Sequence, residues 1–243
     1  MSFPFLGALG PAAMMSGGID VGTLTWLGET VGLNSFNDTF DFTGMNFGSA
    51  HSSRLLIGAV HWESNGPSAP DLTASNCRIN GVVPTIHVED SHSGGSTGLG
   101  CAIISAASPL LTSGDVRIDF NANVTRCAVS LFSGINLFSN TPFDTLEVRG
   151  SSSTDINGNI NIPVDGGLII AGTGSTNTTG NGIAFTGATE VYDKNYPGGG
   201  DGRIGAALIT ALAAQTNRNC RFNMGSIADS GTEMMAVSWR LKK

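Results

Sequence analysis

Turn dipeptides constrain this chain more than any other feature. Asn80-Gly81, Ser113-Gly114, Asn157-Gly158, Asp165-Gly166 and Asn181-Gly182 fall between short apolar or alternating runs. Asn-Gly and Asp-Gly readily adopt the left-handed backbone conformations that tight hairpins require. Glycine, at 34 of 243 positions, outnumbers the 12 basic and 19 acidic residues together. It loses more backbone entropy in a helix than any other residue, so such abundance favours turns, bulges and close backbone approaches.

The runs between the turns carry strand periods. Phe40 and Phe42 alternate with Asp41 and Thr43, a period of two. Residues 54–62 are apolar enough for a central buried strand. Pro84 within 82–88 predicts a sheet edge or a bulge there. Further strands are expected at 99–106, 116–120, 124–132, 143–148, 156–162, 168–171, 182–185, 189–192 and 220–224. The last run, 233–241, alternates most cleanly, through Met235, Val237, Trp239 and Leu241, and is placed inside a sheet. In 203–214, Ile204, Ala207, Leu208, Ala211 and Leu212 fall at helical spacing, yet a strand-rich context overrides local propensity, and the segment is assigned as a strand. The expected fold is all-β: a two-sheet antiparallel sandwich, jelly-roll-like, with an N-terminal extended arm. Its parts are an apolar arm at 1–20, a connecting segment at 21–39 and the sandwich at 40–243.

Charge narrows the function. Only 13% of residues are charged, about half the usual share for a soluble domain. A chain so poor in charge suits packing against neighbours in an assembly. The net charge is −7, no basic residue precedes Arg54, and the lysines are Lys194, Lys242 and Lys243. No patch for nucleic-acid phosphates can be built from that distribution. The N-terminal stretch is apolar but lacks the basic start of a secretory signal, and Pro4, Gly7, Gly10 and Pro11 interrupt any membrane-spanning run. Its large apolar residues, Phe3, Phe5, Leu6 and Leu9, with Pro4 between them, are the expected attachment residues, because an apolar segment that cannot fold on itself docks on a partner. Cys77, Cys101, Cys127 and Cys220 form no CxxC pair and read as buried thiols of a protein made in a reducing cytoplasm.

Few side-chain clusters suggest chemistry. His87-Val-Glu89-Asp90-Ser-His92 is the densest, and strand geometry places His87 and Glu89 on one face and Asp90 on the other. Other ligands would have to come from elsewhere, so a solvated strand end is preferred to a metal site. His61 and Glu63 repeat the spacing and could meet the first pair only if their strands were neighbours. Asp155-Ile-Asn157-Gly158-Asn159 lacks the glycine and glutamate of a calcium loop and reads as a hairpin turn. No metal site, cofactor or catalytic set is expected. The hydroxyl-rich loop 172–182, with Tyr192, Tyr196 and Asp201 downstream, could offer saccharide contacts through Asn177, Tyr192, Tyr196 and Asp201, since sugar sites pair aromatic faces with planar polar groups.

From Arg54 onward the order of features resembles a β-sandwich module that recurs in the virion proteins of tailed bacteriophages. The features are Arg54-Leu-Leu-Ile-Gly-Ala-Val-His-Trp-Glu, Cys77-Arg-Ile-Asn-Gly-Val-Val-Pro, Cys127-Ala-Val-Ser-Leu-Phe-Ser-Gly-Ile, Thr141-Pro-Phe, Gly167-Leu-Ile-Ile-Ala-Gly and Met235-Ala-Val-Ser-Trp-Arg-Leu. The arm and the segment 21–39 have no counterpart in that module. The resemblance implies a structural, non-enzymatic virion component, made in the host cytoplasm: a fibre, spike or decoration subunit, present in multiple copies. Its partners would be other virion proteins, reached through the arm. The alternative expectation is a saccharide-binding module used in host-surface recognition.

Overall fold

The computed structural model describes residues 21–66, 69–94, 97–108, 110–151, 153–176, 182–196, 202–225 and 228–243. Every regular element among them is a strand: β1 (Thr23–Asn46), β2 (Leu55–Asn65), β3 (Arg78–Ile79), β4 (Thr85–Gly94), β5 (Thr97–Ala107), β6 (Ser113–Ile135), β7 (Asp144–Gly150), β8 (Asp155–Ile162), β9 (Gly166–Thr176), β10 (Ala184–Thr186), β11 (Thr189–Asn195), β12 (Gly202–Leu212), β13 (Gln215–Asn223) and β14 (Ala228–Arg240). The first sheet runs β1-β6-β2-β5-β4, with β3 beside β6; the second runs β11-β12-β9-β14-β7. A third, β10-β13-β8, is smaller. The pairings are antiparallel throughout, giving the expected all-β sandwich.

The sandwich has more layers than the sequence suggests. Leu55, Ile57 and Ala59 of β2 face Ile169, Ala171, Met235 and Val237 of the second sheet and form the central core. The alternate residues Leu56, Val60 and Trp62 point outward, yet they are equally buried. Their cover comes from the far halves of β1 and β6. These two long strands stay paired while they bend back over the first sheet, bringing Phe40, Phe42, Val116, Ile118 and Phe120 onto its outer face. Register shifts in the pairing around Asn34, Asn37 and Thr39 mark the bend. On the other side, Ile156, Ile160 and Phe222 of the third sheet cover Ile170, Met234 and Ala236 of the second. Both main sheets are therefore buried on both faces, which explains why β2 reads as a continuous apolar run.

Several expectations are corrected by this arrangement. Residues 23–39 are no connector: they form the first part of β1, paired with β6 from Thr23↔Ile135 onward. The runs 116–120 and 124–132 belong to one strand, β6, and Ser113-Gly114 begins that strand instead of turning. Asn157-Gly158 lies inside β8, with Gly158 opposite Cys220, because adjacent Val148 and Leu146 leave no room for a side chain at Gly158. Asn80-Gly81 does turn: φ is 51° and 78° at the two positions, and Ile79 and Val82 exchange backbone hydrogen bonds of 2.9 and 3.0 Å. Residues 203–212 form β12, a strand as expected. β4 is an edge strand with a bulge, β2 is central, and β14 lies between β9 and β7, also as expected.

Candidate functional site

The two ends of the sandwich differ sharply. At one end β1 and β2 begin, β5, β6 and β14 finish, and Gly22 N–H donates to the Lys242 carbonyl at 2.6 Å. Among the described residues, the exposed large hydrophobics other than Phe36 cluster there. Val82, Val83, Leu110 and Leu111 lie along one side, in the loops that flank β4, β5 and β6, and Val21 adjoins Gly22 at the start of β1. Phe138, Phe143 and Val164 lie on the other side, beside the termini of β6, β7 and β9. Polar loops are the ordinary cover for strand ends, so an apolar end of this extent marks an interaction surface.

A buried arginine holds the loops on the first side. Arg54 is only 1% exposed, and its guanidinium donates to the carbonyls of Phe47 at 2.8 Å, Ser49 at 2.7 Å, Gly48 at 3.2 Å, Ser108 and Leu111. Its partners are peptide dipoles, and burial pushes its pKa downward. The planar fork lets one side chain tie the loop at 47–49 to Ser108 and Leu111.

The second side contains an open groove of about 910 Å³, walled by Phe138, Pro142, Phe143, Pro163 and Val164. The Phe138 and Phe143 amides donate to the Arg240 and Ser238 carbonyls at 2.8 and 2.7 Å, fixing both aromatic residues to the end of β14. The Arg240 guanidinium carbon lies 4.7 Å from the Phe138 ring centroid. Asp144 accepts the amides of Thr145 and Asn161 at 2.9 and 2.8 Å, and the Asn161 side-chain oxygen accepts the Asn217 amide at 3.2 Å. The Asp144 carboxylate and the Asn161 side-chain oxygen are thus engaged within the fold. The walls that remain to meet a ligand are mostly apolar and aromatic, with Ser139, Thr141, Gln215, Thr216 and one arginine among them.

The sequence-predicted residues are distributed differently. Phe3, Pro4, Phe5, Leu6, Leu9, Asn177 and Asp201 lie outside the described residues. Tyr192 and Tyr196 are core residues, which corrects their reading as saccharide contacts. The Tyr192 hydroxyl meets His61 Nε2 at 2.8 Å and its ring stacks on Trp26, 6.0 Å between centroids. The Tyr196 hydroxyl lies 2.5 Å from Thr173 Oγ1 and donates to the Trp62 carbonyl at 2.8 Å. Neither ring can present a face to a sugar.

The histidine-rich strand end is also rearranged. The bulge between Ile86 and Val88 puts His87 and Glu89 on opposite faces, contrary to simple alternation. His87 packs edge-on against Trp239 and contacts Ser105 Oγ at 2.7 Å, between the sheets, whereas Glu89 accepts the Leu72 amide at 2.6 Å on the other side. Asp90 pairs with Arg149 at 3.5 Å. His61 and Glu63 lie on β2, separated from β4 by β5, so the two pairs do not meet. His61 is fully buried, which pulls its pKa down to about 3, and Glu63 pairs with Arg126. Among the described residues no three of His, Cys, Asp and Glu are grouped to hold a metal ion.

Sequence reasoning missed one buried carboxyl. Glu233 of β14 faces the first sheet with no solvent exposure, and neither of its oxygens has a hydrogen-bond partner. Burial raises its pKa well above the usual carboxylate range, and the Asp90 charge adds to that. The Arg149 charge and the Cys101 backbone pull the other way. Regular alternation with Met235 and Val237 was the signal that could have located it between the sheets.

The chain was compared with family models, curated proteins and solved structures, and none of them matches it. No helix among the described residues is long and apolar enough to cross a membrane.

Proposed function

We propose that this chain is a non-enzymatic structural subunit of a tailed-phage virion, a fibre, spike or decoration held to the particle by its arm-bearing end. One observation carries the reading: the exposed apolar residues cluster at the end where the chain enters the fold at Gly22, next to Lys242. A free-standing soluble domain gains nothing from such an end, whereas an assembled one buries it, at roughly 1.5–3 kcal/mol for each large side chain covered. The low charge and the order of motifs from Arg54 onward support the same reading. The saccharide-binding alternative is weakened, because Tyr192 and Tyr196 are committed to the core.

Deletion of residues 1–16 tests the proposal. The truncated chain should retain its β-rich circular dichroism spectrum and no longer co-sediment with particles in a density gradient. Normal incorporation of the truncated chain would place attachment elsewhere and sink the reading.

A further inference from the structure

We infer that the groove walled by Phe138, Pro142, Phe143 and Val164 receives the N-terminal arm of a second copy of this chain, so that two copies exchange arms across their apolar ends. The inference rests on reading the arm-bearing end as an assembly surface, and it names the partner. Three observations lead to it. The groove and the entry point of the arm share one end, since Gly22 bonds to Lys242 while Phe138 bonds to Arg240 two residues away. The arm itself fits the walls: residues 1–19 carry no charged side chain and include Phe3, Pro4, Phe5, Leu6 and Leu9. Proline-containing extended segments are recognised by aromatic-lined grooves whose walls supply apolar contact. Finally, the Asp144 carboxylate and the Asn161 side-chain oxygen in the groove accept bonds from within the fold, so an uncharged occupant strands neither.

Symmetry selects a second copy over the same chain's own arm. An arm folded back on its own domain could fill the groove, but Val82, Val83, Leu110 and Leu111, across the same end, would stay exposed. Two copies meeting end to end cover both sides. Because exit and groove lie at one end, the exchange is reciprocal and closes as a two-fold pair; opposite ends would have produced an open filament. The arm is long enough for the exchange, at up to ~3.3–3.6 Å per residue over its twenty residues.

Light scattering after size exclusion tests this on the isolated full chain, with no particle present. The expected mass is twice that of one chain, falling to that of one chain for Phe3→Ser/Phe5→Ser in the arm and for Phe138→Ser/Phe143→Ser in the groove. The groove rings are exposed, so their replacement spares the fold. A paired substitution, Phe5→Cys with Val164→Cys, fixes the route, because the four native thiols are buried. Oxidation should give a covalent dimer on a non-reducing gel. An intramolecular bridge within a monomer overturns the exchange in favour of the chain's own arm. A full chain that stays monomeric at every concentration also overturns it, and so does a dimer insensitive to both double variants. If the exchange fails in this way while deletion of residues 1–16 still abolishes particle incorporation, the virion reading survives; if deletion has no effect either, both fall.

Discussion

Replacing Arg54 with methionine isolates the energetics of the docking end. Methionine keeps the length and apolar stem of the side chain but offers no donors. Five carbonyls lose their partner, those of Phe47, Gly48, Ser49, Ser108 and Leu111. The Phe47 and Ser108 bonds are buried, and water cannot readily replace the guanidinium there; the other three carbonyls lie nearer the surface and can be rehydrated. Each stranded carbonyl costs about 1–3 kcal/mol, so the two together cost about 2–6 kcal/mol. Removing a buried cation returns part of that, since burial works against its charge. The expected net loss is about 2–4 kcal/mol. In urea unfolding followed by tryptophan fluorescence, a slope of about 3 kcal/mol/M makes this a midpoint shift of about 1 M. Hydrogen exchange should quicken in 47–53 and 108–112 while the β2 and β9 amides stay protected. A midpoint shift below about 0.3 M, with exchange in those loops unchanged, would falsify the assignment of Arg54 as the tie between them.

The other predictions concern the core. Gly100→Ala should lower the melting temperature by about 5–10 °C, because a Cβ at Gly100 would sit 1.9 Å from Cε2 of the fully buried Trp62; an unchanged melt would mean that the indole can move aside. Glu233→Gln should stabilise the protein increasingly as pH rises above about 4.5, since the native carboxyl keeps a proton that the unfolded chain gives up; denaturant midpoints at acidic and alkaline pH check the sign. His61 acts in the opposite sense: the native ring stays neutral down to about pH 3, so stability should fall as pH drops from the unfolded value of 6.5, and His61→Gln should flatten that slope. Ellman's reagent should find no reactive thiol in the native protein and four in denaturant, because burial raises the pKa of Cys77, Cys101, Cys127 and Cys220.

The fold class was legible because its signals are local. A period of two in 233–241 and an apolar run in 54–62 report what each strand's two faces meet, and both strands lie where those patterns put them. The layering was not legible. Whether Leu56 and Trp62 face solvent or a cover depends on β1 and β6 folding back over them, which no window around β2 encodes. Asn157-Gly158 failed as a turn for a related reason: Val148 and Leu146 need the space that a side chain at Gly158 would fill, so glycine there serves packing across the sheets. A bulge was expected within 82–88 but not its exact place, and one extra residue at His87 inverted the faces of everything before it. Tyr192 and Tyr196 show the same limit at the candidate site. Their downstream position beside a polar loop suggested exposure, whereas their hydroxyls find His61, Thr173 and the Trp62 carbonyl inside. The groove went unnoticed because its walls come from two loops far apart in sequence, Phe138 and Phe143 from the one between β6 and β7 and Val164 from the one between β8 and β9.

The long pairing of β1 with β6 also determines how the subunit would bear mechanical load. The arm joins the fold at the very start of β1, a strand of 24 residues that is hydrogen-bonded to β6 on both sides of its bend. Tension applied to the arm enters at Thr23 and runs along the strand, perpendicular to its inter-strand bonds. Many of those bonds must then shear together, because the strand cannot be peeled from its neighbour one bond at a time. The bend adds a second lock, since sliding β1 toward its start would drag Phe40 and Phe42 through the packed layer over Leu56 and Trp62. A tether attached at this point transmits force into the most extensively paired strand of the molecule, so a pull on the arm is resisted by the whole first sheet.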